Sequence, residues 1–194
     1  MLKKWLLFGG FLVLFVLVSG CGTADGMSSD ELSAELAKYD VVNSKSEVQN
    51  GDFIYRLVSE QKEYPNGQSV ILFAELEYVG DQAEITIQHA ASPFYFPMVE
   101  KIRGFDISYP MPEPLISTTL KKGEPLRIQY TGSGAYSEED EMEFVKFMKD
   151  FMENGFPTGY YVVNGYADFL VPKEDPNQAP EKVLLEAQVD FKVK

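Results

Sequence analysis

From residue 51 to the C-terminus, apolar side chains recur at every second position, a pattern that few architectures other than layered β-sheet accommodate. Phe53, Tyr55 and Leu57 alternate with Ile54, Arg56 and Val58. Val70, Leu72, Ala74, Leu76 and Tyr78 share one face, while Glu75 and Glu77 mark the opposite face as wet. Ile85, Ile87 and His89 follow, then Leu126, Ile128 and Tyr130, and finally Leu185, Ala187, Val189, Phe191 and Val193. Extended backbone sends successive side chains to opposite faces, so a period of two predicts half-buried strands. The breaks carry turn chemistry: Tyr64-Pro65-Asn66-Gly67, Gly80-Asp81 and Lys121-Lys122-Gly123-Glu124. Many short alternating strands with regular turns indicate a sandwich or a barrel.

Shorter strands are expected near 94–99, 103–109 and 115–121. The proline-rich stretch 109–114 lacks the donors of a central strand, so it should cross between sheets or lie on an edge. A long strand is expected over 159–171, followed by a stiffened polar loop at 172–180 that leads into the last strand.

Two segments depart from the period of two. Over 137–154 the apolar residues Phe144, Val145, Phe147, Met148, Phe151 and Met152 fall on one helical face, with Glu143, Lys146, Lys149, Asp150 and Glu153 opposite. Ser137 supplies an N-cap, acids follow it, and Asn154-Gly155 provides the stop. An amphipathic helix of this kind usually packs inward, and its aromatic face is expected to cap the core. Near the N-terminus, Ser28 and Glu31 have capping-box spacing before Leu32, Leu36 and Tyr39, predicting a short spacer helix over 29–39. The expected partition is therefore 1–20 as a leader, 21–50 as a tether with its short helix, and 51–194 as one β-domain with a helical insertion at 137–154.

The leader reading rests on a basic start at Lys3 and Lys4, then an apolar run over 5–18 that is too short for a spanning helix. The run ends in Leu17-Val18-Ser19-Gly20-Cys21, which resembles the bacterial lipobox. That resemblance implies cleavage before Cys21 and transfer of a diacylglycerol group to its thiolate, the nucleophile this step needs. Acyl chains anchor a protein by about 0.8 kcal/mol per buried methylene, and more than one chain makes the anchor stable. The expected location is the extracytoplasmic face of a cell membrane, in an envelope of Gram-positive type. Cys21 is the only cysteine, so the domain has to stand on its apolar core without a disulfide. The chain has 14 Phe and 11 Tyr, and all but Phe8, Phe11 and Phe15 of the leader supply the material for that core.

Charge narrows the partners. Seventeen Lys and Arg stand against 30 Asp and Glu, and Lys3 and Lys4 belong to the leader. Nucleic acid, which requires a basic face, is excluded as an expected partner. An acidic domain is also repelled by anionic lipid, so membrane affinity falls to the N-terminal lipid.

The order of elements over roughly 68–171 resembles the Ig-like domain of the BsuPI-type intracellular proteinase inhibitors. The carriers are Glu75-Leu76-Glu77-Tyr78-Val79 running into the 85–88 strand, Leu120-Lys121-Lys122-Gly123-Glu124, and Pro157-Thr158-Gly159-Tyr160-Tyr161. The resemblance implies a mainly β fold: an Ig-like antiparallel sandwich of about seven to nine strands, here with one inserted amphipathic helix. It also implies that Tyr161 makes a tyrosine corner, its hydroxyl tied to the preceding loop. Export, lipidation and the inserted helix depart from that family. No reactive-loop residues match, so inhibition of proteinases is carried over only as one form of binding.

Catalytic chemistry finds little support in the residues. His89 is the only histidine, and it shares a strand face with Ile85 and Ile87 without any nucleophile motif, so a packed, hydrogen-bonded role is expected. Zinc lacks ligands, and the acids of 138–143 lack a calcium loop. No cofactor, metal or catalytic residue is expected. The expected function is a non-enzymatic binding or assembly module with a protein or cell-envelope partner. The alternative is an envelope-polymer hydrolase using a carboxylate pair. Recognition is assigned to the outward face of the 159–171 strand, where Tyr160, Val162 and Tyr166 alternate, and to the 172–180 loop at its end.

Overall fold

In a computed structural model, residues 26–175 and 177–194 are described. In chain order, helix α1 (Ser29–Leu36) precedes strands β1 (Lys45–Asn50), β2 (Phe53–Ser59), β3 (Glu63–Tyr64), β4 (Leu72–Tyr78) and β5 (Glu84–His89). Strands β6 (Phe94–Tyr95), β7 (Met98–Glu100), β8 (Phe105–Ile107), β9 (Ile116–Lys121) and β10 (Leu126–Gln129) follow. Helix α2 (Met142–Asn154) then leads to the two long strands, β11 (Gly159–Val171) and β12 (Glu181–Val193). One sheet has the order β1-β2-β4-β10, and the other β3-β12-β11-β5-β9, with β6 and β7 along the flank of β11 and β8 paired to β7. The protein is mainly β, a two-sheet sandwich with one inserted helix, as the alternation predicts. The strand count exceeds seven to nine because β3, β6, β7 and β8 are pieces of two or three residues.

Strand β11 organises the second sheet. Along one edge it pairs with β12 in an unbroken register from Gly159↔Val193 to Val171↔Glu181. Its other edge is met in turn by β7, β6 and the end of β5. The prolines explain the pieces. Pro93 and Pro97 have no N–H to give, yet their carbonyls accept from the amides of Asp168 and Asn164 at 2.9 Å, so the ladder continues across each gap.

Three boundaries differ from the sequence reading. The sandwich begins at β1, inside the stretch assigned to the tether, where Lys45–Asn50 pairs antiparallel with β2. Its sequence, Lys-Ser-Glu-Val-Gln-Asn, carries one apolar residue and shows no alternation. Helix α2 begins at Met142 rather than 137. The Ser137 hydroxyl is taken by the Glu139 amide and the Asp140 carboxylate folds back to the Ser137 amide, so these residues close a turn instead of capping a helix. Helix α1 is shorter than expected, ending at Leu36, but its capping box at Ser28 and Glu31 is complete.

The core lies between the sheets, and α2 closes one end of it. Phe147, Met148 and Phe151 are buried, as the helical pattern predicts. Phe105 of β8 meets the Phe144 and Phe147 rings at 5.3 and 5.1 Å. Phe151 meets Phe156 edge-on at 4.9 Å, and Phe156 in turn meets Tyr161 and Phe191. The Tyr161 hydroxyl donates to the Pro157 carbonyl at 2.7 Å, fastening the loop after α2 to the start of β11. Among the described residues, no helix is long and apolar enough to cross a membrane.

This core makes stability sensitive to alkali. Burial raises the phenols of Tyr55, Tyr130 and Tyr161 above their ordinary 10.0, in each case as the leading cause. A group whose pKa is raised by folding contributes stability below its unfolded pKa and loses it as the pH climbs through that value. The domain should therefore lose stability steadily above about pH 10. Phenolate absorbance of the buried tyrosines should emerge together with loss of near-UV circular dichroism. Full tyrosine ionisation in a domain that keeps its tertiary signal would contradict this packing.

Candidate functional site

Strand β11 places Tyr160, Val162 and Tyr166 on its outer face, with Tyr161, Val163, Ala167 and Phe169 buried beneath. The expectation that the three form an exposed surface fails at Tyr160, which is 8% exposed. The Tyr39 ring stacks on it at 4.6 Å, and its hydroxyl donates to Asp190 Oδ2 at 2.7 Å. Burial first, then Asp190, raises the Tyr160 phenol and keeps it neutral. Asp190 also accepts from the amides of Val42 and Asn43 at 2.8 and 2.6 Å. The stretch after α1 is thus strapped across the sheet. Tyr160 is part of the strap, and the N-terminal segment is domain rather than spacer. Val162 is half-buried opposite Val99 of β7. Of the three, Tyr166 alone is coupled to an open feature.

That feature is a cleft of about 270 Å³ near the Val171 end of the strand. Tyr166 stacks on its cross-strand neighbour Tyr95 at 4.6 Å with rings nearly parallel, and Tyr95 lines the cleft. Asp168 and Leu170 project from the same face of β11, and Lys182 joins them from β12. The Lys182 ammonium lies 3.2 Å from Asp168. The far wall is the proline-rich crossing, through Glu113, Pro114 and Leu115. Burial, then the Tyr166, Asp168 and Glu113 groups, raises the Tyr95 phenol, so two carboxylates act on one hydroxyl. Leu115 is 70% exposed, and Leu184, opposite Asp168, leaves further apolar surface.

His89 also borders the cleft, and it is held as the sequence predicts. Nδ1 lies 2.7 Å from the Ala90 carbonyl and Nε2 lies 2.8 Å from Thr118 Oγ1. With Nδ1 donating to the carbonyl, Nε2 of the neutral ring accepts from the threonine. Both nitrogens are engaged, which leaves no free lone pair for a general base.

No protein-family model, curated protein or solved structure matches the chain. The cleft offers one ring of a stacked tyrosine pair, two carboxylates, one exposed ammonium and an apolar rim: features suited to holding a ligand group of mixed character.

Tyr95, Asp168, Glu113 and Leu115 were not singled out from the sequence. Asp168 was within reach, lying two residues beyond Tyr166 and so on the same face. Glu113 and Leu115 come from a crossing whose path the pattern does not specify. The 172–180 loop begins at the cleft end of β11, with Lys173 paired to Glu181 across its base. Cys21, the leader and Pro176 lie outside the described residues.

Proposed function

We propose that this chain is a membrane-anchored extracytoplasmic lipoprotein whose sandwich acts as a non-enzymatic binding or assembly module. The observation that carries the binding role is the Tyr95/Tyr166 cleft at the end of β11 remote from the N-terminal strap. Gly26, the first described residue, sits beside Glu143 of α2, where a Cβ would lie 3.1 Å from Oε1. A lipid on Cys21 then holds that end of the sandwich within about 18 Å of the membrane surface, the reach of five extended residues. From Tyr160 under the strap to Leu170 at the cleft, β11 rises by roughly 33 Å. The module thus presents its cleft away from the bilayer. A proteinase-inhibitor-like activity is one form this binding takes, favoured by the Tyr161 to Pro157 hydrogen bond that an Ig-like corner requires.

Cys21→Ala is expected to leave the fold intact and to abolish diacylglyceryl attachment. Metabolic lipid labelling with fractionation checks this. A mutant that keeps the label and stays with the membrane contradicts the anchor.

One observation favours the hydrolase reading: Glu113 and Asp168 line the same cleft. Against it, Asp168 is paired to Lys182 and the imidazole is fully engaged. Turnover assays on peptidoglycan, peptides and glycans separate the two. Activity lost in Glu113→Gln or Asp168→Asn would replace the binding role with catalysis.

A further inference from the structure

The far-end cleft selects a class of partner, and this step rests on the binding role proposed above. We infer that the cleft receives an arginine or lysine side chain of an extended polypeptide, with the flanking apolar residues of that polypeptide seated on Leu115 and Leu184. The ring of Tyr95 lines the hollow, one face backed by Tyr166, and a rigid aromatic beside a cation is a favourable arrangement. Glu113 and Asp168 bring two carboxylates to that same aromatic. Glu113 makes no ion pair among the described residues, and Asp168 shares its charge with a lysine that is itself 64% exposed and displaceable. A guanidinium or ammonium supplies Glu113 with a counter-charge and can take the place of Lys182 at Asp168, where an anion would be repelled.

The chain's net charge of −13 steers cations toward the domain over longer range. The apolar rim argues for a polypeptide rather than a free cation. Leu115 is 70% and Leu184 45% exposed, which leaves apolar surface beside the cleft for the flanking residues of a polypeptide.

Synthetic heptapeptides alternating leucine with arginine, citrulline or glutamate test the assignment on the full chain in detergent, with chito-oligosaccharide as a glycan probe. The arginine peptide should bind at least about tenfold more tightly than its neutral citrulline counterpart. Glu113→Gln, a change on an exposed crossing, should remove most of that preference, and Leu115→Ser should weaken both peptides alike. Equal affinity for arginine and citrulline, a preference for glutamate, or no peptide binding would overturn the inference. Saturable glycan binding abolished by Glu113→Gln would overturn it too. None of those results bears on the lipid anchor, which labelling at Cys21 reads separately, or on a partner detected from the cleft by crosslinking.

Discussion

Phe151→Ala lowers the melting temperature by on the order of 10 °C, the expected loss for a fully buried aromatic in a domain of this size. Phe151 is 1% exposed and stands where α2, the Phe156 loop and the ends of β11 and β12 converge. Truncation removes the ring that supports Phe156, which itself packs edge-on against Tyr161 and Phe191. The cavity opens among aromatics that cannot collapse without moving α2, so a cost of about 3–5 kcal/mol is expected. Phe147→Ala should behave similarly, since its ring meets both Phe105 and Phe151. Phe144, half-buried, should cost less when truncated. Thermal or urea unfolding of the three variants gives the ranking. Wild-type melting of both Phe147→Ala and Phe151→Ala would mean that the helix face is free and available to a partner.

Glu100→Ala is expected to destabilise the domain by about 3–5 kcal/mol, the usual cost of stripping one member from a buried charged network. The Glu100 side chain is fully buried, yet every part of its carboxylate is occupied. It accepts from the amides of Ile102 and Arg103 and from the Arg103 guanidinium, each at 3.0 Å, and from the Tyr160 amide at 3.2 Å. Arg103 reaches on to the Thr158 carbonyl at 3.2 Å, so this cluster joins the turn after β7 to the start of β11. Removing the carboxylate leaves three amides and a largely covered guanidinium without an acceptor. Gly159 belongs to the same unit, because a Cβ there would lie 2.8 Å from Glu100 Oε1. Gly159→Ala should therefore be costly in the wild type and much less so in Glu100→Ala. A double-mutant cycle by chemical denaturation reads that coupling. Strict additivity would show that the two residues do not share the space.

The sequence and the structure agree most closely where a residue's role is settled by its near neighbours. Strand β11 runs from Gly159 to Val171 as its alternation predicts, and α2 buries Phe147, Met148 and Phe151 as its helical spacing predicts. Those patterns arise from burial of one face and are written every second or every third to fourth residue. Strand β1 escaped notice because it is an outer strand with only Val48 to mark it. The covering of Tyr160 escaped for a different reason. Its cause is Asp190 holding the amides of Val42 and Asn43, residues nearly the whole domain apart in sequence, through backbone groups that every residue possesses. Such a contact leaves no local pattern. The cleft lies between these cases: Tyr166 and Asp168 were legible as one strand face, whereas the wall at Glu113 and Leu115 depends on where a proline-rich crossing comes to rest.

The strap also changes what the N-terminal region does. A free 21–50 tether would let the domain roam over the membrane surface. With α1 capped at Ser28, Tyr39 stacked on Tyr160 and Asn43 fixed to Asp190, only residues 22–25 separate the proposed lipid from Gly26. In the proposed arrangement the domain is held with one end down, and the proposed recognition cleft lies at the other end.

A photo-crosslinking side chain placed separately at Leu115, at the cleft, and at Tyr136, near α2, tests that placement in intact cells producing the full chain. Both sites are exposed, at 70% and 39%, so the probe itself should not disturb the core. A discrete adduct is expected from position 115, diminished when Tyr166→Ser is added, and none from position 136. A discrete adduct from 136 with none from 115 would contradict that placement and move recognition to the helix end of the sandwich.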